Sequence, residues 1–193
     1  MDQSWRMMDE RTAIQRLKTG DMNALEFVVL RYQVKALRTA NFITRDLKLA
    51  EDVVQDCFLR LPRAVRSFDA SRPFEPWLMR VVVRAAVKAA QSDDRNVRAG
   101  AEADATWLEN LLGGAPSAED EVEALEFQRR VLEALQSLSP RQRAVLVQRY
   151  FLGWSEKEMS AELGVAAGTV KWLLNRARSR MQAVFRKGAQ DER

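Results

Sequence analysis

The sequence predicts an all-α protein: two small helical domains joined by a flexible acidic linker, with a helix-turn-helix in the C-terminal domain. Three observations predict it. Only 5 prolines and 8 glycines interrupt 193 residues rich in Ala, Leu, Arg and Glu, and no sustained apolar–polar alternation calls for a sheet. Residues 92–121 carry eight acidic side chains against two arginines, together with Gly100, Gly113, Gly114 and Pro116, which is the composition of a connector. Near the end, a short helical segment, the turn LGVAAGTV and a longer basic helix follow one another, the order of a helix-turn-helix. The expected boundaries are 9–91 for the first domain, 92–116 for the linker and 117–187 for the second.

In the first domain, Asp21 can cap a helix that continues as MNALEFVVLRYQVKALRTANFI, where Leu25, Val28, Val29 and Tyr32 recur at helical spacing. In LAEDVVQDCFLRLPRAV, Val53, Cys57 and Leu61 lie one turn apart with Val54 and Phe58 beside them. They form a buried face, and Glu51, Asp52, Gln55 and Asp56 fall largely elsewhere. Pro62 is expected to kink or interrupt this helix. A loop and a further helix follow, with Pro76 in its first turn and Trp77, Val81 and Val82 supplying apolar contacts. Within the connector, residues 106–112 include Trp107, Leu108, Leu111 and Leu112, too apolar for a fully solvated tether.

In the second domain, Leu125, Leu132 and Leu135 define a helical stripe. Ser139 and Pro140 start the helix RQRAVLVQRYFL, which Gly153 ends. Ser155 with Glu158 makes a capping box for SEKEMSAEL, and Gly164 closes that helix. The last helix runs from about Ala167 to Phe185. Ala161 is small enough for a close helix crossing, and Met159, Leu163, Val165, Val170 and Leu174 can close a compact core.

Composition narrows the function. The net charge of +4 does not by itself identify a nucleic-acid partner, so the distribution of charge matters more. Cys57 is the only cysteine and there is no histidine. These two facts remove internal disulfides, thiolate clusters, imidazole metal sites and His-based catalysis. No cofactor or metal is expected, and an enzyme is disfavoured, although carboxylates could still carry chemistry. No apolar run reaches the roughly 18 residues of a membrane span, and the charged N-terminus lacks a signal-peptide core. The expectation is a cytoplasmic protein.

The helix-turn-helix points to DNA. From Thr169 through Lys187 there are six basic residues and no acidic ones: Lys171, Arg176, Arg178, Arg180, Arg186 and Lys187. Such a run neutralises phosphates and gives salt-dependent affinity. Thr169, Lys171, Trp172 and Asn175 occupy the early turns that face base edges. Arg176, Arg178 and Arg180 mix base and phosphate contacts. Taken alone, a basic terminal helix would read as a solvated face; the two-helix pattern argues against that.

Several segments then resemble one family. GDMNALEFVVLRY is similar to its opening helix, LAEDVVQDCFLRL to its "AEDLVQETFLRV" segment, and FDASRPFEPWLMRV to its "F-(D)-…-F-x-x-WL-x-R-I" segment. LSPRQRAVLVQRYFLGWSEKEMSAELGVAAGTVKWLLNRARSRM is similar to its promoter-reading domain throughout. The family is the bacterial group IV, extracytoplasmic-function (ECF) sigma factors, and the resemblance covers most of the chain. It implies an RNA polymerase sigma factor that binds core polymerase and directs promoter recognition, melting and initiation.

The resemblance also assigns work. The first domain would bind the clamp helices of the largest polymerase subunit through Asp52, Gln55, Asp56, Arg60 and Arg63. It would capture the −10 element through the loop at residues 67–74, with Phe68, Asp69, Arg72 and Phe74, and through the helix bearing Trp77, Arg80 and Arg84. Stacking of an unpaired base on an aromatic ring is worth roughly 1–3 kcal/mol. Phe74 and Trp77 nonetheless read first as core, and Phe68 as either. The second domain would bind the −35 element and the flap of the second-largest subunit. Family members are commonly held by an anti-sigma factor, which this sequence does not identify.

The chain departs from the family pattern in places. Val83–Arg84 stands where Arg-Asn is customary, and Lys88 where Asp is common. Trp172 and Leu173 replace the Ser and Arg of "GTVKSRLxRAR", Ala166 and Ala167 make a weak helix start, and Pro62 replaces an aromatic. Three other readings stay open at this point. A dimeric repressor or activator would leave AEDVVQD and FEPWL without a role. A protein that sequesters polymerase or another factor would fit the altered residues at 82–88 and 172–173. A carboxylate–metal nuclease would be marked by metal-dependent DNA cleavage.

Overall fold

The computed structural model describes residues 9–96, 131 and 134–191, and every regular element among them is helical. The acidic connector beyond Asn96, with Leu125 and Leu132, lies outside the described residues, while residues 92–96 continue the helix that begins at Phe74.

The first module contains α1 (Glu10–Lys18), α2 (Asn23–Thr44), α3 (Leu47–Ala64) and α4 (Phe74–Asn96). Asp9 caps α1 by accepting from the Thr12 amide at 3.0 Å, and Asp46 caps α3 by accepting from the Leu49 amide at 2.9 Å. Each satisfies an amide that the first helical turn would otherwise leave without a partner. Asp21 is not the cap of α2: that position is Met22, which makes no side-chain bond. Asp21 accepts instead from the Asn23 amide and pairs with Arg16 at 2.6 Å.

The core follows the helical period. Val28, Tyr32, Ala36, Ala40 and Ile43 of α2 face Val53, Val54, Cys57, Phe58 and Leu61 of α3 and Leu78, Met79, Val82, Val83 and Ala86 of α4, all buried. Burial pushes the Cys57 thiol up to about 11, so it serves as a small apolar residue. Pro62 does not end α3, which continues to Ala64 and then tightens into a 3-10 turn, Val65–Ser67. Pro62 stands only two residues from the helix end. The proline deprives the Phe58 carbonyl of its intrahelical donor, and the helix tolerates that loss within its last two turns.

The second module contains α5 (Pro140–Leu146), a π-helical turn (Val147–Phe151), α6 (Glu156–Leu163) and α7 (Ala167–Asp191). Ser139 and Ser155 each form a full capping box, with Gln142 and Glu158. The helix expected up to Gly153 widens after Leu146: the Leu152 amide reaches the Val147 carbonyl at 2.9 Å. Gly153 and Gly164 end their helices at φ of +73° and +63°, a region where a side chain is penalised. Met159, Val170, Leu174 and Ala177 are buried, while Leu163 and Val165 are half-buried at the margin. Ala161 is exposed and makes no helix crossing. α7 continues past Phe185 to Asp191.

The modules pack directly against each other. Phe42 at the end of α2 meets Phe151 edge-on at 5.5 Å, and Arg45 donates to the Gln136 carbonyl at 3.1 Å. Arg143 of α5 is buried and donates through Nε to the Ile43 carbonyl at 2.6 Å and through Nη1 to the Leu138 carbonyl at 2.7 Å. Ile43 lies in the last turn of α2, where carbonyls have no intrahelical partner and the helix dipole favours a cation.

Candidate nucleic-acid interface

The turn between α6 and α7 is closed by local bonds. Ser160 Oγ donates to the Val165 carbonyl at 2.6 Å, and the Val165 amide donates to the Ser160 carbonyl at 3.2 Å. Ala166, without a side-chain acceptor, starts α7 with its backbone carbonyl alone, which receives the Thr169 amide at 2.9 Å. Val170, Leu174 and Ala177 turn inward. Helical geometry therefore sends Thr169, Lys171, Trp172, Asn175 and Arg176 outward, and all five are exposed. Trp172 is 55% exposed, with the Arg176 guanidinium 5.4 Å from its ring centroid. This pairing holds an aromatic face and a cation side by side on the helix surface.

Arg178 and Arg180 are exposed too, but they lean back onto the module. Arg178 Nε donates to the Tyr150 hydroxyl at 2.7 Å. Arg180 Nη1 donates to the Ser137 carbonyl at 3.1 Å and to Gln142 Oε1 at 3.0 Å. They flank the outward face and do not lie at its centre.

In the first module, the loop before α4 is organised by Asp69. Its carboxylate accepts from the Ser71 hydroxyl at 2.7 Å and the Ser71 amide at 3.0 Å, with Arg72 at 3.4 Å. The Ser71 bonds hold its pKa below the usual carboxylate value. Lys18 of α1 donates to the Phe68 carbonyl at 2.7 Å and ties the loop down. Asp69 and Arg72 are exposed. Phe68 and Phe74 are buried; their rings lie 5.3 Å apart, each close to half-buried Trp77. Phe74 is core, as its first reading had it, and Phe68, which read as either, is core too: their apolar area is largely spent there. A cavity of about 480 Å³ beside them is lined by Glu10, Arg11, Ser71, Arg72 and Pro73 among others.

Arg80 and Arg84 follow one turn apart on α4, and both reach across to α6. Arg84 Nε lies 2.5 Å from Glu162 Oε1 and its Nη2 lies 3.2 Å from Oε2. Arg80 is 3.6 Å from the same carboxylate and sits over the Trp154 ring at 5.8 Å. The Glu162 side chain is only 2% exposed, whereas Arg84 is 67% exposed. Burial raises the Glu162 pKa, while Arg84 and then Arg80 work against that rise.

On α3, Asp52, Gln55, Asp56, Arg60 and Arg63 all project from the side opposite the core and are exposed. Asp56 pairs with Arg60 at 2.8 Å. Leu59 stands among them at 69% exposure. Sequence reasoning missed Leu59, although its offset by two residues from buried Cys57 and Leu61 was a readable signal. Glu162, Trp154 and Arg143 were missed as well. Each acts across the modules, and no local pattern reports such a contact.

Among the described residues, no cluster of His, Cys, Asp and Glu could hold a metal ion, and no helix is long and apolar enough to cross a membrane.

Known proteins share this arrangement. The family description "Sigma-70 region 2" matches residues 28–96, and "Sigma-70, region 4" matches residues 128–181. The chain is 29% identical over 178 residues to the ECF RNA polymerase sigma-E factor of Escherichia coli K12, covering 89% of this chain and 91% of that protein. It is 25% identical over 177 residues to the ECF RNA polymerase sigma factor SigW of Bacillus subtilis, covering 90% and 95%. Its fold is similar to CnrH, solved in complex with the cytosolic domain of CnrY, at a TM-score of 0.64 and 24% identity over 92% of this chain and 97% of that one. It is also similar to RpoE of Bartonella quintana, solved with the anti-sigma factor NepR, at a TM-score of 0.59 and 20% identity over 83% and 96%. Two sigma-70 regions in order, over near-full-length relatives, show that the chain belongs to the ECF group of the sigma-70 family and is an RNA polymerase sigma factor, the subunit that binds core polymerase and directs it to promoters.

Proposed function

We propose that three exposed faces divide this work, on domains spanning residues 9–91 and 117–187 with a linker at 92–116. The α3 face, with Asp52, Gln55, Asp56, Arg60 and Arg63 around exposed Leu59, docks on the clamp helices of the largest polymerase subunit. An apolar anchor ringed by polar groups suits a separable protein interface. The loop at 67–74 and the α4 arginines, Arg80 and Arg84, capture the −10 element. Because Phe68 and Phe74 are largely buried, an unstacked base would enter the cavity bounded by Ser71, Arg72 and Arg11, where only the edges of those two rings reach the lining.

The outward face of α7 reads the −35 element. Thr169, Lys171, Trp172 and Asn175 face the bases, Arg176 supports Trp172, and Arg178 and Arg180 reach phosphates at the flanks. Trp172 brings an aromatic surface suited to a thymine methyl. The second module also meets the flap of the second-largest subunit. The chain acts in the cytoplasm, where polymerase and promoters are. The complexes of CnrH with CnrY and of RpoE with NepR support an anti-sigma partner for this chain as well.

The observation that carries the reading is the exposed, acid-free face of α7 on a helix-turn-helix, joined to a module that matches sigma-70 region 2. The test is in vitro transcription with bacterial core polymerase on genomic promoter fragments. Discrete start sites that require this chain are expected, and Lys171→Ala with Arg176→Ala should abolish them at moderate salt. Tight DNA binding without any start site would replace this reading with a repressor or a sequestering protein.

A further inference from the structure

The cavity beside the loop at 67–74 has one wall that does not belong to the loop. Helix α1 supplies it through Glu10, Arg11 and Ile14. Among the described residues that line it, Glu10 carries the one carboxylate. Asp69, the acid of the loop itself, is committed to the Ser71 hydroxyl and amide.

Glu10 is held in place from α2. The buried Tyr32 donates its hydroxyl to Glu10 Oε2 at 2.5 Å, and Arg31 Nε donates to the same oxygen at 3.2 Å. Burial, and then Glu10, raise the Tyr32 pKa, so the hydroxyl keeps its proton and stays a donor. Both bonds fall on Oε2, which leaves Oε1 as the oxygen offered to the cavity.

We propose that Glu10 selects the base captured at −10, accepting from the exocyclic amine of an adenine or a cytosine, with Tyr32 as its positioning residue. The proposal rests on the assignment of this loop to the −10 strand, and it adds the chemistry of the base.

An unstacked base is read on its hydrogen-bonding edge. A carboxylate has no proton to give. Against thymine it would set acceptor against the O4 carbonyl, and an unmatched polar pair in a partly enclosed site is costly. Adenine and cytosine each present an amine beside a ring nitrogen that accepts. One carboxylate oxygen beside the cations Arg11 and Arg72 matches that donor–acceptor order. Guanine presents two adjacent donors and needs two acceptors.

The same geometry predicts a reversal. In Glu10→Gln, the two donors from α2 claim the amide oxygen and turn the NH₂ toward the cavity. The site then offers a donor and should prefer a carbonyl. Helix α1 keeps its Asp9 cap and its buried Ala13, Ile14 and Leu17, so the variant should fold.

The test uses holoenzyme assembled from the full chain and bacterial core polymerase. It binds single-stranded −10 oligonucleotides taken from promoters mapped by the transcription assay, with base analogues placed one position at a time. Purine for adenine, or pyrimidin-2-one for cytosine, deletes the amine alone. At one position this should weaken wild-type binding about tenfold. At that position Glu10→Gln should favour uracil over cytosine, or hypoxanthine over adenine. Glu10→Ala should flatten the preference to within about twofold. Glu10→Gln/Tyr32→Phe should lose the reversal, because the amide is then less firmly oriented. A scan of the wild type with no amine-sensitive position would overturn the proposal, as would a preference for guanine or thymine there. A preference unchanged in both Glu10→Gln and Glu10→Ala would overturn it too. Arg72→Ala and Arg84→Ala separate the two readings. If both bind every oligonucleotide as the wild type does, the −10 assignment itself fails. If they bind more weakly while no position senses the amine, that assignment stands and the role of Glu10 falls.

Discussion

Two of the arginines that cross between the modules, Arg143 and Arg84, do so under opposite conditions. Arg143 is 2% exposed and donates to two backbone carbonyls, those of Ile43 and Leu138. Arg84 is 67% exposed and pairs with a carboxylate that is itself buried. Carbonyls at a helix end are fixed acceptors that no solute can take away, so the Arg143 joint is structural. Arg84 faces water, where salt and polyanions compete. The difference teaches that a seam between domains can be anchored at one end and releasable at the other, with the same side chain serving both ends.

The largest expected effect comes from breaking the anchored end. Arg143→Ala strands two buried carbonyls and empties the volume of a long side chain, and should cost about 3 kcal/mol in urea unfolding. Arg143→Lys should recover only part, because an ammonium lacks the planar fork that spans both acceptors. A loss well below 1 kcal/mol for Arg143→Ala would show that the seam is not anchored there.

The releasable end should respond more weakly and in a salt-dependent way. A double-mutant cycle with Arg84→Ala and Glu162→Ala should give a coupling of about 1 kcal/mol or less, discounted for the exposure of Arg84, and shrinking in high salt. The Arg143→Ala penalty should hardly change with salt. Equal salt sensitivity of the two would erase the distinction drawn between them.

Acidity sharpens the comparison further. Burial raises the Glu162 pKa despite its arginines. The closed form then holds the Glu162 proton more firmly than an open chain does. Closure should therefore gain as pH falls through the ordinary carboxylate range, and lose that gain as pH rises through the raised value. Asp69 and the capping-box carboxylate Glu158 behave oppositely. Their hydrogen bonds to Ser71 and Ser155 depress their pKa values. What they add is present above the ordinary carboxylate range and is lost as pH falls through their lowered values. Scattering against pH should show the first trend, and Glu162→Gln should abolish it.

The smallest effect belongs to the α3 face. Asp56 and Arg60 are a solvated i,i+4 pair, so Arg60→Ala should change stability by no more than about 0.5 kcal/mol. Leu59→Asp should leave folding intact yet abolish capture by core polymerase in a pull-down. Retained capture would remove Leu59 from the proposed docking face.

Much of this molecule was legible without coordinates, because the rules involved are local. The caps at Ser139 and Ser155, the stops at Gly153 and Gly164 and the apolar period of α3 each depend on residues within a turn or two. The inward set of α7 followed from the same period, and with it the exposure of Thr169, Lys171, Trp172 and Asn175. Local rules failed at two positions: Pro62 is accommodated inside α3, and Ala161 turned outward. Whether Phe68 and Phe74 would be platform or core was a question of which helices closed over them, and Tyr32 and Trp77 decided it.

The sequence by itself determined most of the helices, the serine caps and glycine stops, the exposed face of α7 and the family. Only the tertiary structure decided that Arg143 seeks carbonyls 100 and 5 residues away and that Arg84 meets Glu162 at a separation of 78. The physical reason is one of range. Helix propensity and capping are set by neighbours in the chain, whereas burial of a charge is set by whatever surface the other module brings to it.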